Sequence, residues 1–135
     1  MTKKLLLMLG MARKAGLLSI GDKAVEESCD YNKAFAVFVS VDAAENTKRR
    51  AKYYVERSGL EYAELPVTKE EAAHAIGRST CAVMAINDAG MAAALMRILL
   101  DYDPTLNEAV LRLSEKAEKK KNKAIKPAKK KGESI

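Results

Sequence analysis

Apolar positions along the chain change period from segment to segment, and each period predicts an element. Leu5, Met8, Leu9 and Ala12 recur at i, i+3, i+4 and i+7, one face of a helix that Gly16 is placed to stop. Leu17 to Ile20 follows as a short strand, and Asp22 to Asp30 as a second helix. Ala34 to Val41 is rich in β-branched and aromatic residues on both faces, as expected of a strand buried between layers. A helix is predicted from Ala44 to Ser58, with Ala44, Thr47, Ala51 and Val55 inward and Gly59 as its stop. Tyr62 to Leu65 is a further strand, ended by Pro66. Thr68-Lys69-Glu70-Glu71 then has the form of a capping box and opens a helix to about Ile76, with Gly77 beyond it. Cys81 to Ile86 is another buried strand, and Asp88 caps a helix predicted from Met91 to Leu100, apolar on most sides.

Alternation of helix and strand implies a sheet covered by helices on both faces. The expected fold class is α/β: a three-layer α/β/α sandwich with a central four-stranded mixed sheet over residues 1–100. Residues 101–135 are expected to add a helix, opened at Asp103-Pro104 or Thr105-x-x-Glu108, with Leu106, Ala109, Val110, Leu113 and Ala117 along one stripe. After Glu118 the run KKKNKAIKPAKKKGESI has no periodic apolar face and reads as a basic tail, disordered when free.

Composition agrees with one domain: 135 residues, 48% apolar and 31% charged, are enough for a core. The net charge of +6 is unevenly placed. Residues 1–111 carry 14 basic against 15 acidic side chains, and residues 112–135 carry 10 against 3. The body is therefore nearly neutral, and basicity alone does not make its surface a polyanion site. The run Leu5 to Ala12 is broken by Arg13 and Lys14 after eight residues, and no apolar stretch approaches the roughly 18 residues of a membrane span. A cytoplasmic, monomeric protein with no membrane partner is expected.

Candidate chemistry is sparse. Cys29, Cys81 and the single His74 do not supply the four ligands of a structural zinc site. The cysteines read as small buried hydrophobes, although counting alone leaves one bridge between them open. His74 has no neighbouring nucleophile and Glu70 one turn before it, which makes it a helix-surface residue. No catalytic residue, metal or cofactor is expected. Lys48, Arg49, Arg50 and Lys52 cluster on one helix, where Glu45 with Arg49 and Lys52 with Glu56 are spaced as i, i+4 pairs of a solvated face.

Several segments in order carry a resemblance. LLMLGMARKAG, Ile20-Gly21-Asp22-Lys23-Ala24-Val25, Asp42-Ala43-Ala44-Glu45-Asn46-Thr47-Lys48, HAIGR and VMAIND together resemble the YlxQ-type bacterial proteins. That family belongs to the kink-turn RNA-binding superfamily of the archaeal L-seven-Ae ribosomal protein. The resemblance covers roughly residues 3–100 and implies an α/β/α domain that grips sharply bent, internally looped RNA through two segments. The first is a glycine-led turn into the second helix, which here falls on Gly21 to Glu27. The second is the loop before the last strand, here Ile76 to Thr80. Lys23, Ala24 and Glu27 stand where the archaeal pattern has Asn, Glu and Lys, and Arg78-Ser79-Thr80 replaces a largely apolar contact.

Local physics agrees for the first segment: glycine lets a backbone approach closely, and free N–H groups with the helix dipole favour phosphate. The expected RNA-binding residues are Lys14, Gly21, Asp22, Lys23, Ala24, Ile76, Gly77, Arg78 and Ser79, with Arg13 a weaker candidate. Asp22 opposes phosphate unless it caps the helix or accepts from a base or sugar hydroxyl. The plainer reading of both segments is a capping turn and an ordinary helix stop. The function expected is non-enzymatic recognition of structured RNA, ribosomal or otherwise, on or near the ribosome. The alternative is a protein–protein adaptor whose RNA affinity comes from the tail.

Overall fold

The structure is a computed structural model that describes residues 2–119; the Lys-rich tail predicted beyond them lies outside the described residues. Helix α1 (Thr2–Lys14) buries Leu5, Leu9 and Ala12 and leads through Gly16 into strand β1 (Leu18–Ile20). The next elements are α2 (Asp22–Asp30), β2 (Ala36–Ser40), α3 (Glu45–Ser58) and β3 (Glu61–Leu65). After these come α4 (Lys69–Ile76), β4 (Val83–Ile86) and α5 (Ala89–Leu99). A 3-10 turn, Pro104–Leu106, then opens helix α6 over 107–119. That turn starts at Asp103, whose carboxylate accepts from the Thr105 N–H at 3.1 Å, so the first of the two predicted openings is the one used.

The sheet order is β1-β4-β2-β3, with β1/β4 and β4/β2 antiparallel and β2/β3 parallel. It is mixed and four-stranded, as the sequence predicts. Its two central strands are buried on both faces because alternate residues serve different layers. Ala36, Phe38, Met84 and Ile86 pack with α1, α4, α5 and α6, while Val37, Val39, Val83 and Ala85 pack with α2 and α3. Four helices thus cover one face and two the other. Ala109, Val110 and Leu113 of α6 are buried in the first cluster, and Arg112 binds Glu61 of β3 through two hydrogen bonds of 2.6 and 2.8 Å.

Two details of α3 differ from expectation. Ala44 is exposed at the N-cap position rather than inward, and Tyr54 joins Thr47, Ala51 and Val55 on the buried face. Among the described residues the i, i+4 pairs expected at Glu45/Arg49 and Lys52/Glu56 do not form: Arg49 donates to Asn46 of the same helix at 3.4 Å, and other cations of α3 turn to neighbouring elements. Lys48 meets Glu64 of β3 at 3.6 Å, Lys52 lies 5.5 Å from the centre of the Tyr62 ring, and Arg50 and Arg57 reach Asp22 and Asp30 of α2. Helical spacing allows a pair, but the longer reach of Lys and Arg lets packing between elements choose the partner.

Candidate functional site

Strands β1, β2 and β3 end where β4 begins, so their outgoing connections gather at one end of the sheet. Ile20 is paired with Met84, and the Gly21 N–H donates to the Val83 carbonyl at 3.0 Å, which fixes the turn into α2. Gly21 has φ 93° and ψ 160°, a region essentially closed to residues with a side chain. As the N-cap it offers no side-chain acceptor, and the first-turn N–H groups of α2 are left without one. The cap of α3, Ala44, likewise provides none, whereas α4 is closed by its capping box, with the Thr68 hydroxyl accepting from Glu71 N–H at 3.1 Å. Asp42 adds a further acceptor for Lys69 N–H at 2.8 Å.

The second predicted segment arrives at the same end. Gly77 ends α4 in the left-handed conformation (φ 72°, ψ 34°), and Arg78, Ser79 and Thr80 are exposed. The chain then enters β4 under two ties from β2: the Ser40 hydroxyl donates to the Cys81 carbonyl at 3.0 Å, and Ser40 N–H to the Ala82 carbonyl at 2.9 Å. Gly21 and the 77–80 loop are thus held against neighbouring positions of one strand end. Burial pushes the Cys81 thiol up to about 11, against a smaller downward pull from the nearby Arg78 guanidinium.

The candidate residues fall into distinct positions. Lys23 is exposed in the first turn of α2, and neither it nor Arg78 makes an ion pair among the described residues. Asp22 neither caps α2 nor stands free: Arg50 clamps its carboxylate through Nε at 3.2 Å and Nη2 at 2.9 Å. That contact also raises the Arg50 pKa, mainly through the hydrogen bond to Asp22. The negative charge at the helix start is therefore matched by a cation.

Of the residues expected to touch RNA, Ile76 is the one turned inward. Its side chain is 2% exposed within the core, and its carbonyl accepts from the Arg13 guanidinium. Arg13 joins the end of α1 to the end of α4, and its Nη1 lies 3.0 Å from where a Cβ on Gly77 would stand. Lys14, exposed at the end of α1, borders a cleft shared with Gly77, His74 and Gly10.

Ala24 and Glu27 border another cleft of about 310 Å³, with Ser19, Ser28, Tyr31 and Asn87. The Asn87 amide donates to Ser19 Oγ at 2.9 Å, and Ser19 Oγ is hydrogen-bonded in turn to Ser28 Oγ. Neither this polar cluster nor the Asp22–Arg50 and Arg13–Ile76 contacts has a local signal in the sequence, because the partners lie 28 to 68 positions apart except for Ser19 and Ser28. Cys29 and Cys81 are free and buried, and His74 is exposed on α4. Among the described residues no three His, Cys, Asp or Glu side chains come together to hold a metal, and no helix is long and apolar enough to cross a membrane.

No protein-family model matches the chain, and no curated protein matches it in sequence. Among solved structures, a protein of unknown function from Bacillus halodurans C is similar at a TM-score of 0.66 and 26% identity, over 73% of this chain and 97% of that one. The Giardia lamblia 15.5kD RNA binding protein is similar at a TM-score of 0.54 and 17% identity, over 84% of each chain. The second likeness establishes a shared fold and nothing finer.

Proposed function

We propose that the chain is a non-enzymatic binder of structured RNA and that the sheet end carrying Gly21 and the 77–80 loop is its reading surface. One observation carries this: two segments 56 positions apart, from Gly21 to Gly77, meet at the start of β4, each led by a positive-φ glycine and each presenting an unpaired cation. The uncapped N–H groups of α2 suit phosphate, and Lys23 and Arg78 supply charge on either side. An RNA-binding protein of the same fold, from Giardia lamblia, supports the reading. So does the neutralisation of Asp22 by Arg50, which removes the main electrostatic objection to an anion there.

Internally looped or kink-turn-like RNA is the proposed class, since splayed bases and backbone bends are what two short loops can grip. A ribosomal RNA is the natural setting. Ala24 offers no hydrogen bond and Glu27 faces the cleft beside it, so recognition rests on backbone shape and on Lys23, Arg78 and Ser79. Lys14 and Gly77 flank the loop, and Ile76 serves by holding it in place.

The test compares an internally looped RNA with a plain duplex of equal length. Lys23→Glu or Arg78→Glu is expected to weaken binding to the looped RNA by tenfold or more, with a smaller loss on duplex. Equal losses on both would remove shape reading from the proposal. Loss of all RNA binding at physiological salt when 120–135 are deleted would favour the adaptor reading instead.

A further inference from the structure

Helix α1 has a second apolar stripe that its core packing does not use. Leu5, Leu9 and Ala12 face the sheet, yet Leu7 and Met11, one turn apart, are 65% and 60% exposed. They form one wall of a groove of about 400 Å³ between α1 and α4, whose other wall carries Glu71 and His74. Its floor is made of small residues: a Cβ on Gly10 would stand 3.2 Å from the Ala75 carbonyl, so the two helices approach closely there. Lys3 and Lys14 border the groove. They lie eleven positions apart on the helix, about 16 Å at 1.5 Å per residue.

We infer that this groove docks an amphipathic helix of a partner protein whose apolar residues are flanked at both ends by acidic side chains. Shape favours a helix, because a long apolar groove between two helices takes a third by seating its i, i+4 side chains, and Met11 adapts to their form. Charge selects the acidic flanks. Lys3 and Lys14 border the groove, and the carboxylate on its wall, Glu71, is held by the Thr68 N–H, so the groove ends attract carboxylates spaced about three turns apart. The same charges oppose a second copy of the chain, since an isologous contact of α1 on α1 would set lysines against lysines. Nucleic acid fits less well, because the walls offer mainly Leu, Met and Ala to a base, with no Phe, Tyr or Trp ring, and the Glu71 carboxylate opposes phosphate. The docking site does not rest on the RNA reading; Lys14 alone of the residues named there also borders the groove.

The probe is a synthetic helical peptide with two leucines one turn apart and glutamate pairs eleven positions apart, titrated into isotope-labelled full-length chain and followed by NMR. Amide shifts are expected on α1 and α4. Leu7→Ser/Met11→Ser, at exposed positions that leave the melting temperature unchanged, is expected to weaken the peptide at least tenfold. Lys3→Glu/Lys14→Glu is expected to invert the preference towards a peptide with lysines in place of the glutamates. Equal affinity of the wild-type chain for the two peptides, shifts elsewhere on the surface, or no binding at millimolar peptide overturns the inference. Concentration-dependent self-association abolished by Leu7→Ser/Met11→Ser would assign the groove to a second copy, and weakened RNA binding in that variant would assign it to nucleic acid; either result also overturns it.

Discussion

At the scale of single residues, Gly21 is where backbone conformation and the proposed reading surface coincide. Nothing lies within 4 Å of a Cβ built there, so Gly21→Ala meets no clash and its cost is purely conformational. At φ 93° and ψ 160° that cost is about 1–3 kcal/mol, to be read from urea unfolding. An unchanged midpoint would show that the turn relaxes freely. Tyr62 presents the opposite case. Its hydroxyl is buried without a hydrogen-bond partner among the described residues, and burial pushes its pKa up to about 12, with Glu64 and Glu45 adding to the rise. Deleting an unsatisfied hydroxyl relieves a desolvation cost, so Tyr62→Phe is expected to be neutral or to stabilise by up to ~1 kcal/mol at neutral pH.

Cys81 and Tyr62 together give the chain an alkaline limit. Cys81 moves from 9.0 in an unfolded chain to about 11 when folded, so between those values the native state keeps a proton that the unfolded state releases. Stability is unaffected by this thiol below pH 9 and falls as pH rises from 9 to 11, with a slope of at most ~1.4 kcal/mol per unit. Urea midpoints across this window are expected to decline in the wild type and to decline less steeply in Cys81→Ala. Parallel slopes in the two proteins would mean that the thiol is not the titrating group.

At the scale of elements, what is local in sequence was legible and what depends on distant partners was not. The capping box at Thr68 and Glu71 is written within four residues, and it forms with Glu71 Oε1 accepting from Thr68 N–H at 2.9 Å and the Thr68 hydroxyl accepting in return. Thr68→Ala is therefore expected to lower stability by roughly 1 kcal/mol, as a lost N-cap does, with thermal or urea unfolding as the measure. The bounds of α2 and the burial of β2 and β4 could be read for the same reason, since period and composition are local quantities. Ile76 shows the limit: as the last residue of α4 it could face the loop or the core, and only packing against α1 and the sheet decides for the core. Arg50 shows another, because nothing near it in sequence indicates that Asp22 on the neighbouring helix will hold it.

At the scale of the whole molecule, the near-neutral body and the basic C-terminal run imply a division of labour that salt can separate. Some cations of the body are engaged by carboxylates, as Lys48 by Glu64, Arg50 by Asp22 and Arg57 by Asp30. Lys23 and Arg78 are among the cations that make no such pair within the described residues. Residues 120–135 hold seven lysines and one glutamate. A chain ending at Lys119 retains Ala109, Val110 and Leu113, so its core is complete, whereas one ending at Leu100 would lack all three. Deleting 120–135 is expected to reduce the dependence of log K on log salt by about 5–6 if every lysine meets a phosphate, at 0.7–0.9 per contact. Because such contacts carry no sequence or shape information, the loss should be the same on looped and duplex RNA and leave their affinity ratio unchanged. Binding constants for the two RNAs measured across a salt series would check this: a ratio that collapses on truncation would place selectivity in the C-terminal run, and a preserved ratio that Arg78→Glu then abolishes would place it at the sheet end.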